Sequence, residues 1–135
     1  MRRVKQGDPT GCGLACIAML AGTDYSSVRE LAVKQLGFDD SGTFYTGTKH
    51  LKDLGKNFDI ELGNKRRQFN GFQNLPEMAI LAINYKEDLG TWHWVVYRRT
   101  SSDEFVYDPK KNIKTNKRRD FGRIKARWFL PVTNT

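Results

Sequence analysis

The apolar positions of the chain change period part-way along it. Leu14, Ala15, Ile17, Ala18, Met19 and Leu20 cover most of a helical circumference. That pattern predicts a buried central helix from about Gly11 to Leu20, ended by Gly22. Ser27-Val28-Arg29-Glu30 has capping-box spacing, and Val28, Leu31, Ala32 and Leu36 form a stripe before Gly37, which predicts a second helix. "GFDDSGTFYTG" reads as a loop, and Thr48 to Leu54 as a short third helix closed by Gly55. The period then shortens. "FDIEL" (58–62) alternates like a strand, and "MAILAI" (78–83) is a continuous apolar run of the kind an interior strand carries. "KRRQFNGFQNLPE" reads as an irregular connection, whereas "WHWVVYRR" (92–99), "EFVYD" (104–108) and "ARWFL" (126–130) are rich in aromatic and β-branched residues. Helices followed by strands predict an α+β fold, N-terminal helices packed on a C-terminal antiparallel sheet.

Composition narrows this picture only slightly. A length of 135 residues suits a single domain, 1–135, with a real core. The apolar run from Leu14 to Ala21 is too short to span a bilayer, and Gly22-Thr23-Asp24 does not resemble a signal-cleavage region. The expectation is a cytoplasmic protein, with export as an effector by a signal-independent route as the alternative. Two cysteines four residues apart on one helix make a poor disulfide framework, so both are expected as reduced thiols.

Charge is more informative. Residues 1–109 hold fourteen basic and fourteen acidic side chains, while residues 110–135 hold nine basic ones against Asp120 alone. The whole formal charge of +8 lies in that last fifth. This divides the domain into a core, 1–109, and a basic segment, 110–135, expected at the sheet edge. Lys110 to Arg127 could serve an acidic partner or nucleic acid, or be a solvated border around "ARWFL". "KRR" (65–67) reads as a solvated charge run in a loop.

The chemistry centres on Cys12. A helix N-terminus, with its unpaired N–H groups and partial positive charge, favours the thiolate form of a thiol placed there. Gly11 and Gly13 flank Cys12, so backbone can approach a substrate closely. A small core residue is the competing reading. Cys16, one turn deeper in the apolar stripe, is expected to be buried and inert. A nucleophilic thiol needs a base and an orienting partner. Of the two histidines, His50 lies between Lys49 and Lys52 in a helix pattern and reads as a surface residue, while His93 begins a strand. A hairpin turning near 101–102 puts residue 110 opposite His93 and Asp108 one same-face step away. A turn one residue earlier at each position puts Asp108 directly opposite. Asp108 before Pro109 could instead start a turn. Gln6, upstream of Cys12, could donate its amide to an oxyanion beside the Cys12 N–H. Trp92 and Trp94 should share the face opposite His93, as core or, with Gly13, as a substrate wall.

Gln6, Cys12-Gly13, His93-Trp94-Val95-Val96 and Asp108-Pro109 together resemble the signature of the double-glycine leader peptidases, papain-like cysteine peptidases of bacteriocin exporters and their free-standing relatives. The likeness spans about residues 6–109; the residue before the nucleophile, commonly Asp in that family, is Gly11 here. The resemblance implies a papain-like fold and a cysteine peptidase using Cys12, His93 and Asp108, with Gln6 in the oxyanion hole. It implies a thioester intermediate, a peptide or protein substrate, and no cofactor or metal. An acyltransferase, transglutaminase-like or deamidase activity on the same fold is the alternative, and a basic nucleic-acid-binding protein is the third reading.

Overall fold

The computed structural model describes residues 1–133. Helices α1 (Cys12–Ala21), α2 (Tyr25–Leu36) and α3 (Thr48–Lys56) precede five strands: β1 (Arg67–Gln68), β2 (Met78–Lys86), β3 (Thr91–Arg99), β4 (Glu104–Tyr107) and β5 (Ala126–Pro131). All pairings are antiparallel, in the order β1-β5-β2-β3-β4. The α+β reading therefore holds.

The sheet is buried on both sides, which explains the unbroken apolar run of β2. On one face, Ile80, Ala82, Trp94, Val96, Trp128 and Leu130 join one core cluster with the helices, among them α1, whose residues from Cys12 to Met19 are all buried. On the other, Leu81, Ile83, Val95, Tyr97 and Phe129 are covered by Phe69, Phe72 and Phe121 from connecting segments. Those segments contain two short 3-10 turns, Phe72–Asn74 and Phe121–Arg123. Aromatic side chains on irregular backbone thus do the work of a helix layer.

Several expectations change. The cap of α2 is Asp24, three residues ahead of the expected Ser27, because the Asp24 carboxylate accepts the Ser27 N–H at 2.9 Å. Gly55 does not close α3, which runs on to Lys56; a side chain at Gly55 would meet the Ile60 carbonyl. "FDIEL" is no strand: Asp59 takes a left-handed conformation (φ 56°) and only Leu62 forms an isolated bridge, to Val132. Alternation there reflects two buried residues, Ile60 and Leu62, in a loop. "ARWFL" is not an edge either, since β5 lies between β1 and β2. His50 is half-buried; its Nδ1 accepts the Gly47 N–H at 3.0 Å and its ring packs on Phe38. Among the described residues no helix is long and apolar enough to cross a membrane.

Candidate active site

Cys12 is the first residue of α1, capped by Gly11 without a side-chain hydrogen bond. Its thiol is buried against β3, and the Trp94 backbone N–H donates to Sγ at 3.4 Å. That donor is spare because β4 stops at Tyr107, opposite Val96, two residues short of Trp94. The same register fixes His93 and Asp108. Continued one step, it puts Asp108 opposite Val95, so the carboxylate lies one same-face step from His93; the first of the two turn placements is the one adopted. His93 Nε2 and Asp108 Oδ1 are 2.7 Å apart, and Cys12 lies near enough to act on the same imidazole.

The electrostatics follow from these contacts. Burial pushes the His93 imidazolium toward the neutral form, but hydrogen bonds and charge from Asp108 and Cys12 outweigh it and raise its pKa to about 9. Burial likewise opposes ionisation of Asp108, yet His93, the Lys110 N–H and Arg118 hold its carboxyl below the ordinary range. Cys16 is fully enclosed; burial, then the charges of Cys12 and Asp108, push its thiol well above the ordinary value. Both cysteines are free.

Two arginines brace Asp108, and neither was legible as a site residue. Arg118 NH1 donates to Asp108 Oδ2 at 2.8 Å, while its Nε and NH2 grip Asp120 at 3.0 Å each. Its backbone exchanges two 2.9 Å hydrogen bonds with Val106, so the guanidinium is carried by an extra bridge on the outer edge of β4. Arg3 donates to the main-chain carbonyls of Asp108, Lys110 and Ile113 at 2.6–2.8 Å. The basic segment is thus partly consumed within the molecule: Arg118 serves Asp108, and Arg119 chelates Asp103. Only the local excess of charge hinted at this.

Replacing Arg118 by methionine is expected to lower kcat about tenfold with KM unchanged, because one charge-assisted hydrogen bond to a buried carboxylate is lost. Lysine at that position should restore part of the rate. Steady-state kinetics normalised to titrated thiol check this; equal loss in both variants, or a change in KM alone, would deny Arg118 a positioning role.

Gln6 is buried beside the same loop. Its backbone N–H donates to the Pro109 carbonyl at 2.8 Å, and its side-chain Nε2 donates to the Asp8 and Pro9 carbonyls at 3.0 and 2.9 Å, while Oε1 meets no partner among the described residues. The loop it braces is pinned by Asp8, which accepts from Tyr25 Oη (2.7 Å) and Arg29 Nε (3.0 Å). Gly11 follows from that pin: a Cβ there would fall 1.9 Å from Tyr25 Oη. A Cβ at Gly13 would fall 2.0 Å from Thr46 Oγ1, so the helix start is held close to the Tyr45–Gly47 loop.

Beside Cys12 lies a cleft of about 420 Å³ between that loop and the β2–β3 turn, with Leu89, Trp92 and Trp94 in its wall. Trp94 is also core, its Nε1 bonded to the Thr46 carbonyl at 2.9 Å. Among the described residues no group of His, Cys, Asp or Glu could hold a metal ion.

The peptidase C39 family model matches residues 1–133. Among solved structures, the peptidase domain of Streptococcus ComA, a bi-functional ABC transporter involved in a quorum sensing pathway, superposes with a TM-score of 0.58 at 18% identity, covering 98% of each chain. No curated protein matches.

Proposed function

Since the chain belongs to the peptidase C39 family, and is a cysteine peptidase by that membership, we propose that Cys12, His93 and Asp108 are its catalytic triad and that it cleaves a peptide or protein through a thioester. The observation that carries this reading is the 2.7 Å pairing of His93 with the buried Asp108 carboxylate, on an imidazole that Cys12 also influences from the start of α1. The Cys12 thiolate attacks the scissile carbonyl carbon, and negative charge collects on its oxygen. The Cys12 N–H, at a helix start, supplies one donor to that oxyanion. Gln6 supplies a second by releasing one of the two carbonyls that it now holds. The C–N bond breaks as the His93 imidazolium protonates the leaving amine, leaving a thioester. Neutral His93 then takes a proton from water as it attacks, the C–S bond breaks, and the thiolate returns. Asp108 keeps the ring oriented throughout.

The resemblance of Gln6, Cys12-Gly13, His93 and Asp108-Pro109 to double-glycine leader peptidases supports a substrate cut after a Gly-Gly pair. Synthetic peptides with a Gly-Gly leader end, incubated with the protein and mapped by mass spectrometry, should be cut after the second glycine. Cleavage elsewhere would contradict that substrate class. Amide products formed only with an added amine would identify an acyltransferase, and a Gln-to-Glu mass change without chain cleavage would identify a deamidase.

A further inference from the structure

Trp92 belongs to two openings at once. It lines the cleft at Cys12 and also a second groove of about 460 Å³, whose other walls are Arg66, Gln68, Tyr85, Arg127 and Trp128. Rings join the two: Trp94 packs edge-on to Trp92 (5.6 Å), Trp92 to Trp128 (4.8 Å) and Trp128 to Tyr85 (5.7 Å). Two guanidinium groups lie over this aromatic wall, Arg66 4.2 Å from the Trp128 centroid and Arg127 4.3 Å from that of Tyr85.

The arrangement selects a ligand by charge. A guanidinium stacked by its face keeps its N–H edge for other partners, and its fork matches a carboxylate. Arg127 has a loose contact with Glu87 at 3.7 Å, between two exposed side chains. Trp128, itself largely buried, lines the groove and seats the Arg66 guanidinium on its ring. A groove offering two forked donors and the Gln68 amide calls for acceptor groups. Base stacking is disfavoured because the arginines occupy the ring faces that a nucleobase would need.

We propose that this groove is a substrate subsite that binds an acidic segment of the peptide, seated there while the scissile bond lies at Cys12. The proposal rests on the peptidase reading above and adds a recognition element on the far side of Trp92. It also gives the "KRR" loop, expected to be merely solvated, a part in binding through Arg66.

Binding is measured on the full chain carrying Cys12→Ala, by fluorescence anisotropy of labelled peptides with a central Gly-Gly. The peptides share one apolar frame and carry glutamates, glutamines or lysines at the same flanking positions. The glutamate peptide is expected to bind about tenfold tighter than the glutamine one, a preference that falls with added salt. Arg66→Glu with Arg127→Glu should invert it in favour of lysine, and the milder Arg66→Gln with Arg127→Gln should abolish it. Both arginines are exposed, so neither pair removes core. Equal binding of the glutamate and glutamine peptides, or a preference surviving both double variants, would overturn the subsite. So would an oligothymidine that competes for the groove as strongly as the acidic peptide. If charge-selective binding holds but the wild type never cuts the same peptide, the peptidase reading fails and the groove stands.

Discussion

Cys12→Ala is expected to lower kcat by roughly 10⁴-fold or more, the scale on which losing a nucleophile or its base falls in triad hydrolases. The reason is local. Cys12 alone combines the start of α1, an influence on the His93 imidazole and the Trp94 N–H at Sγ. Cys16→Ala is the matched control, for its thiol lies one turn deeper, fully buried and held protonated by burial and by neighbouring negative charge. Peptide-cleavage assays should show the second variant near wild-type rate per folded molecule. A Cys12→Ala protein that retained turnover, or a Cys16→Ala protein that lost it while folded, would move the chemistry elsewhere.

A comparable loss is expected for His93→Ala, with a change in pH dependence that separates mechanism from damage. Asp108 and Cys12 raise the imidazole to about 9 against the cost of burial, so it stays protonated through neutral pH. The protonated ring delivers the proton to the leaving amine. Wild-type kcat/KM should therefore hold through neutrality and fall as pH rises through about 9. Asp108→Ala removes one of the groups that raise the imidazole, so its alkaline limb should move to lower pH. An alkaline limb unmoved by Asp108→Ala would detach the carboxylate from the titrating group.

How far the chain could be read beforehand depended on whether a feature was local. α1 and its Gly22 stop were visible because periodicity and a left-handed cap are properties of neighbouring residues. The His93–Asp108 relation was visible because a short hairpin leaves only a few registers, one of which the chain adopts. "FDIEL" misled because alternation records which residues are buried and not whether a partner strand exists. Arg118 and Arg3 could not be foreseen at all. Arg118 reaches Asp108 from ten residues beyond it, and Arg3 reaches the same loop across most of the chain. The basic segment looked like a separate surface because its charges are consecutive, whereas several of their partners, Asp103 and Asp108 among them, lie in β4 and its flanks.

Alkylation by iodoacetamide, with the modified residue located by mass spectrometry, tests the pairing of Cys12 with His93 most directly and needs no substrate. In the wild type, Cys12 should be labelled rapidly at neutral pH and Cys16 not at all, and His93→Ala should abolish the rapid phase. Slow, equal labelling of both cysteines, or a Cys12 rate indifferent to His93→Ala, would contradict the nucleophile assigned here.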